Sequence, residues 1–402
     1  MYNSMKEKLA ILGGIPVRSA LLQYGKQWID EDDIKAVTEC LNGDYLTTGP
    51  YIQNFEKQFA EVVGAKYAVA VSNGTAALHI ACLAAGIGAG DEVITSPITF
   101  AASANCALYC GAKPVFADID AETYQISPES IEQNITSKTK AIIPVHFAGI
   151  SCDMDKILAI AKQHNLIVIE DAAHALGTAY KEKPIGGISD MTEFSFHPVK
   201  TITTGEGGIV TTNNEALYKK LLLYRTHGIT RDATQMKHTD QGNWYYEMLS
   251  LGYNYRITDL QCALGISQLK KLEIFKKRRK ELVKKYDDVF KEWNLLSIPQ
   301  NPDYSDTTRH LYPIFLELDR FSVGRKVIFD ALKAERIGVN VHYIPVYWMP
   351  YYQRIGYQKR LCPNAERLYE GLITLPLFPR MKDRDQEDVI TAVKKVLNYY
   401  KK

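Results

Sequence analysis

The stretch FSFHPVKTITTGEGG, residues 194–208, joins a strand pattern to a glycine-rich turn and places one lysine between them. Its first residues are aromatic and alternate with polar or small ones, as expected of a β-strand. A second strand pattern, GIVTT at 208–212, follows at once, and the connection is too short for a crossover helix. We therefore predict that these two strands are antiparallel neighbours.

Strand and helix patterns alternate through residues 67–223. Short apolar runs that predict strands lie at 67–72, 92–96, 114–119, 141–146, 167–171, 192–196 and 208–212. Most of them are separated by helix patterns, at 75–85, 101–109, 128–133, 153–164 and 214–223. Because many of the strands are unbroken apolar runs, we expect both faces of the sheet to be covered. The alternation predicts an α/β fold with a mostly parallel, seven-stranded sheet and helices outside it.

The length of 402 residues exceeds what one hydrophobic core usually supports, so we expect two domains. The pattern over 257–290 is typical of one long helix. Beyond it we predict strands near 310–318 and 339–344 and helices near 322–336 and 383–400. These patterns predict a large domain over 1–275, including an N-terminal arm, and a smaller C-terminal α/β domain over 276–402.

Composition excludes several classes of function. A net charge of +2 gives no electrostatic reason to expect nucleic-acid or membrane-surface binding. No apolar run reaches the roughly 18 residues that a membrane helix needs, and residues 1–22 lack the pattern of a signal peptide. The seven cysteines show neither CxxC pairs nor metal-ligand spacing, so we expect no metal site and a reducing, cytoplasmic location.

Lys200 and Asp171 have the layout of a site for pyridoxal 5′-phosphate (PLP). Asp171 ends a buried strand, and ligands of open α/β sheets bind beyond the carboxyl ends of strands. A carboxylate there can pair with the pyridine nitrogen, while neighbouring Glu170 points to the opposite face of the strand. Taken by itself, Lys200 is typical of a surface loop, but in this context its amine can form the Schiff base with the cofactor.

Three further positions suit the phosphate and the ring. The segment SNGTAAL at 72–78 follows a strand and opens a helix, where Gly74 and Thr75 can approach an anion. The same residues are also typical of a simple helix cap. Ser195 can present its hydroxyl to the phosphate. His174, one turn after Asp171, can contact Asp171 or the cofactor's O3′, or can be structural.

Four segments together resemble the sugar aminotransferases of the DegT/DnrJ/EryC1/StrS family, which are fold-type I PLP enzymes. They are SNGTAAL at 72–78, EDAAHALG at 170–177, FSFHPVKTITTGEGG at 194–208, and GYNYR at 252–256 followed by DLQ at 259–261. The resemblance runs from about Tyr24 to the C-terminus, and both order and spacing agree.

The resemblance implies roles for individual residues. Lys200 would carry the cofactor and would also move the proton between the sugar carbon and C4′ of the cofactor. Asp171 would pair with the pyridinium nitrogen, His174 would lie near O3′, and Phe100 would stack on the ring.

The resemblance also implies two sets of contacts to phosphate and sugar. The cofactor phosphate would be held by Gly74, Thr75, Ser195 and, from across the interface, Asn254 of the partner subunit. The nucleotide-sugar pocket would be lined by Tyr24, Tyr45, Thr47, Arg256, His342 and Tyr343. A residue supplied across subunits implies a homodimer with a shared active site.

Within the family, DYLTTG at 44–49, HPVK at 197–200 and VHYIP at 341–345 are most similar to one substrate type. Those enzymes move an amino group from L-glutamate to C4 of a UDP-4-keto-6-deoxy-N-acetyl-L-hexosamine, on the route to pseudaminic acid. The alternative is C3 or C4 amination of a dTDP- or GDP-linked keto sugar.

Three other readings have less support. The family's sugar 3-dehydratases have histidine where this chain has Lys200. A non-catalytic PLP-binding protein would lack Lys200 or Asp171. A nicotinamide enzyme is poorly supported, because GIGAG at 86–90 is not GxGxxG.

Overall fold

The computed structural model describes residues 8–238 and 240–402. The α-helices are α1 Glu31–Leu41, α2 Pro50–Val63, α3 Gly74–Ala84, α4 Ala102–Tyr109, α5 Pro128–Gln133, α6 Met154–His164, α7 Glu215–Arg225, α8 Asp259–Leu269, α9 Leu272–Phe290, α10 Arg325–Ala334, α11 Pro350–Arg354, α12 Pro363–Gly371 and α13 Asp383–Tyr400. The strands are β1 Tyr67–Val71, β2 Glu92–Thr95, β3 Lys113–Phe116, β4 Thr139–Ile143, β5 Ile167–Asp171, β6 Ala179–Tyr180, β7 Lys183–Pro184, β8 Met191–Ser195, β9 Gly208–Thr212, β10 Ile229–Thr230, β11 Glu247–Met248, β12 Leu296–Ser297, β13 Ser305–Asp306, β14 Tyr312–Leu316 and β15 Leu372–Leu375. Short 3₁₀ turns lie at Ala10–Leu12, Phe147–Gly149, Leu318–Arg320 and Val346–Trp348.

A seven-stranded sheet with the order β1-β9-β8-β5-β4-β2-β3 forms the centre of the fold. Four neighbouring pairs, from β8 to β3, are parallel. Strand β9 is antiparallel to both β1 and β8, because a turn and not a helix connects it to β8. The predicted α/β fold with a mostly parallel sheet is therefore confirmed, and so is the antiparallel pair.

Both faces of this sheet are buried, as the unbroken apolar runs predicted. On one face Ile142 and Val168 belong to a core that also contains aromatic residues of α2. On the other face Ile143 and Ile169 pack with residues of α3 and α4. The alternation of successive side chains between two cores fixes which residues reach each face at the ends of the strands.

The C-terminal part has its own sheet, with the order β12-β14-β15, and its own hydrophobic cluster. Helices α9, α10 and α13 contribute buried side chains to this cluster. Leu9 and Leu22, from the N-terminal segment, are buried in the same cluster.

Two element predictions were wrong. The segment 257–290 is not one helix, since α8 ends at Leu269 and α9 begins at Leu272. At the break, the Lys271 ammonium binds the carboxylates of Asp30 and Asp33, which ties the junction to α1.

The segment 339–344 is not a regular strand, because it pairs at a single bridge between Asn340 and Thr374. The strand that pairs with β14 is β15, from further along the chain.

Among residues 8–238 and 240–402, no helix has the length and apolar character needed to span a bilayer. All seven cysteines are free thiols, and six of them are buried.

Candidate active site

A cavity of about 840 Å³ opens at the carboxyl ends of β5 and β8, beside the start of α3. This is the edge at which open α/β sheets bind their ligands. Ten of the predicted site residues line it: Tyr24, Gly74, Thr75, Phe100, Asp171, His174, Ser195, Lys200, His342 and Tyr343. Residues that are widely separated in the sequence therefore meet in one cavity, as the prediction required.

Lys200 lies in the turn that follows β8, and its position is fixed by the closure of that turn. Its backbone N–H donates to the carbonyl of His197 at 2.9 Å. The turn is closed by the N–H of Phe196, which donates to Gly207 O at 2.8 Å. Burial lowers the pKa of the Lys200 amine to about 8, against an opposing effect of the nearby Asp171 and Glu193 carboxylates. A larger fraction of this amine is therefore neutral, and so nucleophilic, than of an ordinary lysine.

Asp171 ends β5 with its carboxylate held on two sides. One oxygen, Oδ2, accepts from the Ser103 hydroxyl at 2.5 Å, and the other, Oδ1, accepts from the Ala173 N–H at 3.1 Å. The Ser103 hydroxyl is in turn 2.6 Å from that of Thr99. The carboxylate is 5% exposed and faces the cavity, so a ring nitrogen that carries a proton fits there as a partner.

The start of α3 forms a cradle for an anion. The Asn73 side chain accepts from the Ala76 N–H at 2.8 Å. Gly74 and Thr75 line the cavity, and the first N–H groups of a helix have no acceptor within the helix. A Cβ on Gly74 would lie 2.5 Å from Glu193 Oε1 and 3.0 Å from Ser195 Cβ. Only glycine lets the helix start so close to β8, and this closeness brings the Ser195 hydroxyl beside the N–H groups.

His174 is a neutral imidazole whose hydrogen bonds are defined. Its Nδ1 accepts from the Ala148 N–H at 3.3 Å, and its Nε2 is 3.1 Å from the Tyr343 hydroxyl. Burial and the nearby Lys200 charge hold the pKa of His174 well below its usual range. The contact between His174 and Asp171 that the sequence suggested is not present. The side chain that His174 contacts by a hydrogen bond is Tyr343.

His342 is neutral for a similar reason. Its Nδ1 lies 2.9 Å from Thr374 Oγ1 and its Nε2 lies 3.2 Å from Asn340 Nδ2. Burial lowers the pKa of His342 to about 3, with a further contribution from Lys200. The ring of Tyr24 packs against it at a centroid distance of 5.2 Å. These side chains form an uncharged polar wall of the cavity.

Among the lining residues that sequence reasoning missed, three lie beside predicted ones. Asn340 is the partner of His342, and His310 packs on His174 at a ring distance of 4.6 Å. Glu193 is a buried carboxyl group in β8, paired in register with Asp171. Pairing between strands that are distant in sequence is what brings Glu193 to the site, and no local motif signals it.

Four predicted residues lie outside the cavity of the single chain. Tyr45 and Thr47 are exposed, and Thr47 bridges to Thr258. Arg256 bridges to Val71 at the end of β1, and exposed Asn254 bridges to Thr226.

The comparisons with known proteins agree with this geometry. The model of the DegT/DnrJ/EryC1/StrS aminotransferase family matches residues 27–394. The chain is 46% identical over 382 residues to the spore coat polysaccharide biosynthesis protein SpsC of Bacillus subtilis strain 168, which covers 94% of this chain and 98% of that protein. It is 39% identical over 385 residues to the UDP-4-amino-4,6-dideoxy-N-acetyl-beta-L-altrosamine transaminase of Campylobacter jejuni strain 81-176, covering 95% and 99% of the two chains.

Solved structures give the same result. Helicobacter pylori PseC, an aminotransferase involved in the biosynthesis of pseudoaminic acid, superposes with a TM-score of 0.88 at 33% identity, covering 94% of this chain and all of that chain. Spr1654 from Streptococcus pneumoniae, solved in a PLP form, superposes with a TM-score of 0.87 at 32% identity, covering 94% and 99% of the two chains. The chain therefore belongs to the DegT/DnrJ/EryC1/StrS aminotransferase family and is a PLP-dependent sugar transaminase.

Proposed function

We propose that this enzyme transfers the amino group of L-glutamate to C4 of a UDP-4-keto-6-deoxy-N-acetylhexosamine, as in the pseudaminic acid pathway. The observation that carries this proposal is the similarity, over nearly the full chain, to a transaminase whose name specifies such a UDP sugar. The likeness to PseC supports the same substrate type. The second candidate is amination at C3 or C4 of a dTDP- or GDP-linked keto sugar, since the name of SpsC, which is similar over the same length, specifies neither a nucleotide nor a carbon.

Within this proposal, Lys200 has two tasks. Its amine would hold the cofactor, and once free it would act as the base that takes the proton from the substrate carbon and returns it. The pKa of about 8 suits an amine that must both accept and return a proton near neutrality. The bound PLP supplies an electron sink for the pair of electrons left at the carbon that loses its proton.

The other cavity residues bind and orient. Asp171 would hold the proton on the ring nitrogen, and the N–H groups of Gly74 and Thr75, with the Ser195 hydroxyl, would hold the phosphate. Phe100 is 64% exposed at the cavity mouth, which is unusual for a phenylalanine and suits a ring that stacks on the cofactor.

Neutral groups form one wall of the cavity. In this proposal His174 with Tyr343 would lie near O3′ of the cofactor, and Tyr24 with His342 would contact the sugar. Because the imidazoles of His174 and His342 stay uncharged, this wall adds no positive charge that would compete with the protonated ring nitrogen for the Asp171 carboxylate.

We further propose a homodimer in which the partner's Asn254 completes the phosphate site. Tyr45, Thr47 and Arg256 would act at the nucleotide sugar in the same assembly. Exposed large side chains near the site support a partner subunit there. They are Tyr45 (56% exposed) and Leu46 (47%), which precede the predicted site residue Thr47, and Tyr109 (52%), which lines the cavity. A guanidinium at Arg256 suits a diphosphate.

The domain division at 275 and a cytoplasmic location are also proposed. The first is supported by the separate C-terminal sheet and hydrophobic cluster. The second is supported by seven free thiols, which suit a reducing compartment.

The experiment that tests the proposal supplies the purified enzyme with PLP, L-glutamate and one keto sugar at a time. The panel consists of UDP-, dTDP- and GDP-linked 4-keto-6-deoxy sugars, with 3-keto isomers beside them, and products are identified by mass spectrometry and NMR. We expect amination at C4 of the UDP-N-acetyl sugar. Faster amination of a dTDP- or GDP-linked sugar, or of a 3-keto isomer, would reject the UDP-C4 proposal in favour of the second candidate.

A further inference from the structure

The register of the central sheet places two carboxyl groups side by side. Asp171 in β5 is the parallel partner of Glu193 in β8, and the Ala172 N–H donates to the Glu193 carbonyl at 2.9 Å. Residues paired across two strands project to the same face of a sheet. Asp171 is 5% exposed and Glu193 is 1% exposed, and both line the cavity. The floor of the cofactor site therefore contains two acids, of which the family resemblance explains one.

The two acids differ in their hydrogen bonds. Asp171 accepts from Ser103 and Ala173, whereas among the described residues no donor group serves either carboxyl oxygen of Glu193, and the side chain within hydrogen-bonding reach of it is the Asp171 carboxyl group. Glu170, also buried, shows the usual arrangement, with Ser189, Thr192 and His146 around its carboxylate. A buried carboxylate that makes no hydrogen bond is costly, so the state of Glu193 needs a reason.

Four groups face Glu193. They are the Asp171 carboxylate from β5, the Cys106 thiol from α4, the Lys200 amine from the turn after β8, and Gly74 at the start of α3. Burial and the adjacent Asp171 raise the pKa of Glu193 well above its usual range, and Lys200 opposes them. Two ionised carboxylates can only accept hydrogen bonds, so a proton on one of them is what allows a bond between them.

We propose that Glu193 is a protonated carboxylic acid that donates its O–H to Asp171 and so positions that carboxylate for the cofactor's ring nitrogen. The proposal rests on the proposed role of Asp171. A neutral Glu193 also suits the phosphate site. Its Oε1 lies beside Gly74 at the start of α3, where the phosphate would bind. An ionised carboxylate there would repel the phosphate. Glu193 is thus a positioning residue that acts through Asp171.

The first test uses the cofactor-free protein, so its result does not depend on the sugar or on the reaction. Difference infrared spectra at about pH 7 compare the wild type with Glu193→Gln. We expect the wild type to show a carbonyl band of a protonated carboxylic acid that Glu193→Gln lacks. Glu206→Gln, which removes an exposed carboxylate from the cavity rim, is the matched control and should keep the band. An identical spectrum in wild type and Glu193→Gln would overturn the proposal.

A second variant keeps the test decisive if Glu193→Gln folds poorly. In Asp171→Asn the neighbouring negative charge is gone, so the acid band of Glu193 should titrate away at a lower pH than in the wild type. An unchanged midpoint would contradict the pairing of the two groups.

The positioning role is tested by binding of 4′-deoxypyridoxine 5′-phosphate, which has the ring nitrogen and phosphate but cannot react with Lys200. Glu193→Gln keeps an N–H donor for Asp171 and should bind within about twofold of the wild type, whereas Glu193→Leu has no donor and should bind about tenfold more weakly. Equal affinity of the Gln and Leu variants would refute the positioning role while leaving the proposed transaminase reaction untouched.

Discussion

Gly74→Ala tests the cradle at the start of α3. The added methyl carbon would lie 2.5 Å from Glu193 Oε1 and 3.0 Å from Ser195 Cβ. Both distances are shorter than a van der Waals contact. The Glu193 side chain is buried and the Ser195 Cβ is attached to β8, so neither atom can move without disturbing the site.

Two opposing effects set the free-energy change that Gly74→Ala causes. In the interior of a helix, alanine is more favourable than glycine by about 0.5–1 kcal/mol, and this gain is an upper bound for Gly74 because it is the first residue of α3. Overpacking of a buried contact costs about 1–3 kcal/mol, so it prevails. The net loss is about 1–2 kcal/mol, which corresponds to roughly 5- to 30-fold weaker binding of PLP if it falls on the phosphate contacts.

The assay is a fluorescence titration of the cofactor-free protein with PLP, accompanied by thermal unfolding of the same sample. Gly88→Ala is the matched control, because no atom lies within 4 Å of the Cβ position at Gly88. The control should bind PLP like the wild type. If Gly74→Ala also binds PLP with wild-type affinity and is equally stable, the assignment of the phosphate to the start of α3 is wrong.

Three further predictions concern charge and assembly. The rate at which the cofactor-free protein captures PLP should rise with pH and level off above about 8, because Lys200 reacts as the neutral amine; a rate that keeps rising through the range of an ordinary lysine would contradict the lowered pKa. Lys271→Met should destabilise the fold by about 3 kcal/mol in chemical unfolding, because it leaves the buried Asp33 carboxylate without its cation, whereas Lys284→Met, from an exposed pair, should leave the unfolding midpoint at the wild-type value. Co-expression of Lys200→Ala with Asn254→Ala should restore activity that neither variant has in full, since a mixed dimer keeps one intact site; no restoration in a proven mixed dimer would argue against the shared site.

The central sheet could be predicted because most of its strands are short apolar or alternating runs between turns. The bounds at 167–171 and 208–212 agree with the structure to the residue. The break between α8 and α9 could not be predicted, because Lys270 and Lys271 fit a helix pattern and no glycine or proline marks the junction. Contacts of Lys271 with α1, which are tertiary, hold the chain at that point.

Residues of the candidate site could be predicted where their chemistry is specific. Lys200 and Asp171 are singled out by their positions after strands, and Gly74 by its place before a helix, and all three line the cavity. Glu193 gives no such signal, because in sequence it is one polar residue within an alternating strand. Its importance arises from register with a strand that lies 22 residues earlier, which only the folded sheet shows. His310 and Asn340 also give no signal in the sequence, because they reach the cavity from the C-terminal part of the chain.

The measurement that tests the central claim most directly is the absorbance spectrum of the PLP-loaded protein before and after L-glutamate, recorded beside Lys200→Ala. The account predicts a visible band of lysine-bound cofactor in the wild type, lost in Lys200→Ala, which L-glutamate converts to the shorter-wavelength band of the aminated cofactor. Lys200→Ala should melt like the wild type in the cofactor-free state, which excludes misfolding as the cause. A band that persists in Lys200→Ala, or that L-glutamate leaves unchanged in the wild type, would contradict the account.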